Sequence, residues 1–244
     1  MNIAYERLLN KLSMKNTRHI ALKNSNDFVG VIEGKRKYYG GDQSWYYWQD
    51  DGNKGAVAIY SGCASVAVAN VFAYIIQNHD KYQELEPYKS LNKADYLEFM
   101  RRIYDYVQPL KIFGKSFGVG SSSLMKKRLM KLADAYDLDF EINSAEKYNN
   151  FSYLVKFISS ALEQDLPLMM LIGRNGKDME VYYEDSRITK GEFMYHWITI
   201  TELIVDYNAK EAILRCSTWG RSAYIRLKDF MKFEILRRGL LYIS

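Results

Sequence analysis

The run Cys63-Ala64-Ser65-Val66-Ala67-Val68-Ala69-Asn70-Val71-Phe72-Ala73-Tyr74-Ile75-Ile76-Gln77 decides the architecture of this chain. Nearly every position is small or apolar, so no face is left for water, and a helix of that kind belongs in the middle of a domain. The run outlasts an ordinary strand, which favours helix despite its β-branched residues. Its most apolar part, residues 66–76, is about half the length that crosses a bilayer, and it contains Asn70. The expectation is a buried central helix, with no transmembrane helix and no membrane partner.

Helical periodicity continues downstream. Asn92 or Ser90 can cap a helix in which Leu97, Met100, Ile103, Tyr104 and Val107 recur at steps of three and four, ending before Pro109. Ser121 to Ser123 can cap the next, with Leu124, Leu129, Leu132, Ala133 and Tyr136 on one face, and another spans residues 152–164. The period then changes. Pro167-Leu168-Met169-Met170-Leu171-Ile172 is a short apolar run closed by Gly173. Residues 195–207 alternate, with His196, Ile198 and Ile200 on one face and Trp197, Thr199 and Thr201 on the other. Residues 211–216, 223–227 and 240–243 complete the strands, separated by Asp206-Tyr207-Asn208-Ala209 and Gly220-Arg221-Ser222 as turns. Helices first and strands last imply an α+β protein, a helical lobe against an antiparallel sheet. Upstream, Glu33-Gly34-Lys35-Arg36 joins two short β-like segments into a hairpin. Residues 40–55 read as an ordered loop anchored by Trp45, Tyr46, Tyr47 and Trp48. The loops 113–123 and 174–192 complete the connections. One domain spans 1–244: an N-terminal extension and hairpin (1–37), a mainly helical lobe (38–165) and a sheet lobe (166–244).

Composition narrows the function classes. With 34 Lys+Arg against 29 Asp+Glu the net charge is +5, and 48% of residues are apolar. That is ordinary for a folded protein and excludes a wholly disordered chain. The N-terminus mixes Glu, Lys and Arg among its apolar residues and lacks the core of a signal peptide. Two distant cysteines make no disulfide framework, so a reducing, cytoplasmic setting is expected. Lys126-Lys127-Arg128 with Lys131 falls in a helical pattern as a solvated face, which disfavours a nucleic-acid partner. Neither cysteine nor histidine spacing supplies three metal ligands in one region, so no metal and no cofactor are expected.

Cys63 follows Ser61-Gly62 and opens the buried helix. There it meets unpaired backbone N–H groups and the positive end of the helix dipole, which favour thiolate over thiol. The plain alternative is a small buried hydrophobe. Gly62 leaves room for a substrate backbone to approach. Of the three histidines, His19 lies in a charged segment and His79 at a helix end. His196 opens the strongest strand beside Trp197, as a core histidine or as a general base facing a cleft.

Gln43-Ser44-Trp45 and, farther on, Ser61-Gly62-Cys63-Ala64-Ser65-Val66-Ala67 resemble the nucleophile region of papain-like cysteine peptidases, in particular the bacteriocin-processing, double-glycine-peptidase-like branch. Tyr195-His196-Trp197-Ile198-Thr199-Ile200-Thr201 resembles that family's histidine strand. Ser217-Thr218-Trp219-Gly220 is similar to its Asn-x-Trp-Gly or Asp-x-Trp-Gly turn. The likeness covers residues 38–243 in the family's order and implies a papain-like fold with a Cys63–His196 dyad cutting a peptide or isopeptide bond. It implies further that Gln43 and the Cys63 N–H hold the oxyanion, and it puts Ser217 where a residue orients the imidazole. A peptide or protein substrate follows as partner. Two positions depart from the pattern: Ser217 replaces Asn or Asp, and Ala64 stands where Gly is usual, which is expected to narrow the cleft. The competing expectation is a non-catalytic papain-like module that binds a peptide or partner protein in the same cleft.

Overall fold

The computed structural model describes residues 3–46, 52–85, 92–113, 115–232 and 238–244. In chain order they form helix α1 (Ile3–Lys11), strand β1 (Arg18–Ala21), the hairpin β2 (Gly30–Glu33) and β3 (Arg36–Tyr39), and helices α2 (Gly52–Ser61), α3 (Cys63–His79) and α4 (Lys93–Tyr106). A small hairpin β4 (Lys111–Ile112) and β5 (Lys115–Ser116), helix α5 (Ser122–Tyr136), strand β6 (Ile142–Ser144) and helix α6 (Phe151–Glu163) follow. The last third holds β7 (Leu168–Ile172), β8 (Glu180–Tyr183), β9 (Ile188–Lys190), β10 (His196–Asp206), β11 (Glu211–Thr218), β12 (Arg221–Arg226), helix α7 (Leu227–Met231) and β13 (Gly239–Ile243).

The protein is α+β. Side-chain caps start three helices: Asn92 accepts from the Asp95 N–H, Ser121 from Leu124 and Asn150 from Tyr153. Ser90 lies outside the described residues. Helix α3 is buried at every position from Cys63 to Ile76, as its all-round apolar sequence demands. It leaves α2 at a bend of 75°. Gly62 makes the bend: a Cβ there would stand 2.4 Å from the Ala58 carbonyl oxygen and 2.9 Å from the Tyr46 ring. The space beside Gly62 is therefore filled by the protein's own packing and not kept for a substrate. No single helix among the described residues is long and apolar enough to cross a membrane.

Nine strands form one sheet in the order β6-β13-β7-β10-β11-β12-β8-β9, with β1 also on β10, and every pair is antiparallel. The long β10 is the spine. Its first half pairs with β7 (His196↔Ile172 to Ile200↔Leu168), its second half with β1 (Glu202↔Ala21 to Val205↔Arg18), and β11 runs along its other edge. Strand β10 is buried at all but one position because both faces of the sheet are covered. Helices α3 and α6 pack on β10 within the main core. In a second cluster, apart from the main core, Ala4 and Leu8 of α1 lie over Tyr182, Ile204, Ile213 and Tyr224.

Several expectations change. The N-terminal extension supplies both a sheet strand and a covering helix. The loop 174–192 contains β8 and β9, and the loop 113–123 contains β5. Residues 40–55 hold a 3-10 turn, Gln43–Trp45, and the start of α2, while Tyr47 and Trp48 lie outside the described residues. The turn expected at residues 220–222 lies one position earlier. Thr218 pairs with Arg221, and Trp219 (φ 44°) and Gly220 (φ 66°) form a two-residue turn with both φ positive.

Candidate functional site

Cys63 is the first residue of α3 and 8% exposed. Its sulfur is faced by the backbone N–H groups of Trp197, Ala64 and Cys63 itself. Burial outweighs them and pushes the thiol up, while the three N–H groups pull it back. The imidazole of His196, at the first residue of β10, stacks on the Trp219 ring with centroids 4.1 Å apart and planes at 17°. Phe193 flanks the ring at 5.7 Å. Nε2 of His196 lies 2.9 Å from the Thr218 hydroxyl. Burial pulls the imidazole down to about 3, so it is neutral at pH 7. Cys63 and His196 line one small cavity, about 10 Å³, with Gln43, Asn70, Thr199 and Ser217. Among the described residues no hydrogen bond joins the sulfur to the ring. With Nε2 engaged by Thr218, Nδ1 is the nitrogen left for the thiol.

Gln43 borders the same cavity. Its Nε2 donates to the Ile59 carbonyl at 2.9 Å, which fixes the amide and leaves a second N–H. Among the described residues its Oε1 is buried without a partner, as is the hydroxyl of Thr199. The 3-10 turn bearing Gln43 begins where the Asp42 side chain accepts from the Ser44 N–H. Behind it, the contacts of Asn70 explain the single amide within the buried stretch Cys63–Ile76 of α3. Its Oδ1 accepts from the Gly41 N–H (2.9 Å) and the Tyr96 hydroxyl (2.7 Å), and its Nδ2 donates to Ser217 Oγ (3.3 Å). Gly220 N–H donates to Gly41 O at 2.9 Å, so the loop before Gln43 and the turn carrying Trp219 are tied together.

Ser217 is in the cavity wall but does not hold the imidazole. Its hydroxyl donates to the Tyr39 carbonyl at 2.6 Å. The reason is the strand's period. Ser217 is paired directly with Thr199, so both side chains leave the same face of the sheet. His196, three residues before Thr199, belongs to the other face, and Thr218 shares it. Thr218 is therefore the residue that sequence reasoning missed, and the β10–β11 register was the signal needed to find it. Ala64 borders neither of the cavities that Cys63 lines, and at 1% exposed its methyl is packed in the core and does not narrow the cleft.

Beyond Cys63 a wider cleft of about 320 Å³ opens between Tyr60 and Ser61 on one side and Phe117, Gly118, Tyr195 and Trp197 on the other. Its Trp197 wall is fixed by an indole N–H donated to the Val119 carbonyl at 2.6 Å. The other histidines are elsewhere: His79 bonds the Asp165 carbonyl, and His19 sits between Tyr5 and Glu202. Cys216 is fully buried, its thiol donating to the Ala223 carbonyl. Among the described residues no three histidine, cysteine or acidic side chains converge on a point that could hold a metal ion. No known family model matches the chain, and comparison with curated proteins finds no significant match.

Proposed function

We propose that this protein is a papain-like cysteine peptidase that opens a peptide or isopeptide bond with Cys63 and His196. One observation carries the reading: the thiol at the head of a buried helix shares a small cavity with the only imidazole of the sheet spine that is stacked under a tryptophan. In the resting pair both groups are neutral. On attack the thiol proton passes to His196 Nδ1 as sulfur bonds to the carbonyl carbon, whose π electrons move to oxygen. The second N–H of Gln43 and the Cys63 N–H face the developing oxyanion. Collapse breaks the C–N bond, His196 returns its proton to the departing amine, and water then hydrolyses the thioester with His196 as base. Thr218 holds the ring in place throughout without supplying charge.

A competing reading is a non-catalytic module that binds a peptide in the cleft. Burial favours the neutral form of both partners, and a neutral hydroxyl stands where a charged or amide group orients the ring in the family resembled. An activity-based probe for cysteine peptidases separates the two. Covalent labelling of the wild type that is lost in Cys63→Ala and His196→Ala supports the peptidase. Labelling no faster than that of the buried Cys216 leaves the binding module.

A further inference from the structure

Beside Trp219 the surface opens into a hollow of about 410 Å³, walled by Asp42, Tyr183, Arg187, Glu192, Trp219 and Arg221. Its carboxylates are already engaged within the chain. Glu192 accepts from the Tyr183 hydroxyl at 2.6 Å, and Asp42 accepts from the Ser44 N–H at 2.8 Å. Its arginines are not matched in the same way. The Arg187 guanidinium lies 4.2 Å over the centre of the Tyr183 ring, and no carboxylate among the described residues reaches it. Among the described residues Arg221 has Asp185 as its one carboxylate partner, at 3.4 Å, with both side chains about half exposed. An aromatic face holds a guanidinium flat and leaves its N–H edge free for a planar, two-oxygen acceptor. Arg221 also borders a neighbouring hollow of about 290 Å³, where Arg36 lies 4.4 Å over the Tyr38 ring.

The hollow is bordered by Trp219, the ring on which the imidazole stacks, and not by Cys63, which puts it nearer the imidazole than the sulfur. The cleft beside Tyr60 and Phe117 is bordered by Cys63 and not by His196, and among the described residues no charged side chain lines it. In acyl transfer the general acid sits next to the departing amine, so the fragment that leaves extends past His196. We propose that the Arg187–Arg221 hollow is the subsite for that amine-side fragment and that it selects a carboxylate close to the bond cleaved. The carboxylate comes either from the substrate's own C-terminus or from an acidic side chain. This assignment of sides rests on the peptidase reading; the carboxylate site itself does not.

The test uses the Cys63→Ala protein, which cannot turn over, titrated by calorimetry with three N-acetylated probes: Ala-Ala-Ala acid, Ala-Ala-Ala amide and Ala-Glu-Ala amide. At least one carboxylate probe binds at least tenfold more tightly than the uncharged amide, and which one binds identifies the source. Arg187→Gln combined with Arg221→Gln weakens it at least tenfold at an unchanged melting temperature, and Arg187→Lys restores part of the loss. Equal binding of all three probes overturns the proposal, as does no binding at millimolar concentration or indifference to the arginine changes. A discriminating Cys63→Ala protein whose wild type labels with no peptidase probe keeps the carboxylate site and rejects the peptidase.

Discussion

Thr218 and Ser217 show how much a single step along a strand decides. Adjacent hydroxyls leave opposite faces of β11, one to Nε2 of His196 and the other to the Tyr39 carbonyl. Thr218→Val strands a buried ring nitrogen, and a loss of about 1–3 kcal/mol in urea unfolding is expected, together with slower iodoacetamide labelling of Cys63. Ser217→Ala removes the bonds to Tyr39 and Asn70 and destabilises too, but it leaves the labelling rate close to that of the wild type. Equal effects of the two changes on labelling would refute the assignment of roles. His196 also makes stability depend on pH. In the unfolded chain the ring gains its proton as pH falls through 6.5, whereas in the folded protein it stays neutral down to about 3. Between those values the unfolded state holds more protons, so stability is fully present above 6.5 and is lost as pH falls, on the order of 2 kcal/mol by pH 5. A His196→Gln variant has a flatter stability profile between pH 7 and pH 5; an identical slope would show that the ring is not buried neutral.

At the scale of elements, the junction of α2 and α3 places the sulfur. Gly62 donates its N–H to the Ala58 carbonyl at 2.8 Å and accepts from Val66 at 3.1 Å, so this one residue separates α2 from α3. Beneath it the Tyr46 hydroxyl lies 2.8 Å from Ser65 Oγ and 3.0 Å from the Met100 carbonyl. An added methyl at position 62 meets backbone oxygen on one side and a fixed aromatic ring on the other. Neither can move cheaply. Gly62→Ala is expected to cost about 1–3 kcal/mol and to slow Cys63 labelling by shifting the first turn of α3, read by thermal unfolding and by alkylation rate. Stability unchanged within error would mean that the bend at α2–α3 is not made by this contact.

The whole molecule holds two apolar clusters: a main core in which α3 and α6 pack on β10, and a smaller outer cluster covered by α1. Leu8 is 2% exposed at the centre of that outer cluster. Leu8→Ala is expected to cost about 2–5 kcal/mol and to leave Cys63 labelling unchanged, because the outer cluster does not reach the cavity. A change in labelling as large as that of Thr218→Val would mean that the outer cluster is coupled to the cavity along β10 and β11. Asp206 reinforces this outer layer: its carboxylate accepts the Lys15 and Asn16 N–H groups at 2.9 and 3.1 Å, which ties the segment after α1 to the end of β10.

What could be read in the residues alone was whatever has a local cause. An apolar run without a polar face can only be a buried helix, and capping side chains mark the starts of α4 and α5. Alternation over residues 196–201 marks the start of β10, and a cysteine after glycine at a helix start, with a histidine opening that strand, marks the candidate site. Strands β1, β6, β8 and β9 were hidden because three or four residues carry no period, and they exist only by pairing with a neighbour. The partner of the imidazole was hidden for the same reason, since the face on which Thr218 stands follows from the register of β10 against β11 and from nothing within either strand. The amide of Asn70 had no local explanation, because its partners arrive from a loop, another helix and a strand. Local free energies thus chose the elements, while pairing across long sequence separations decided which side chains meet.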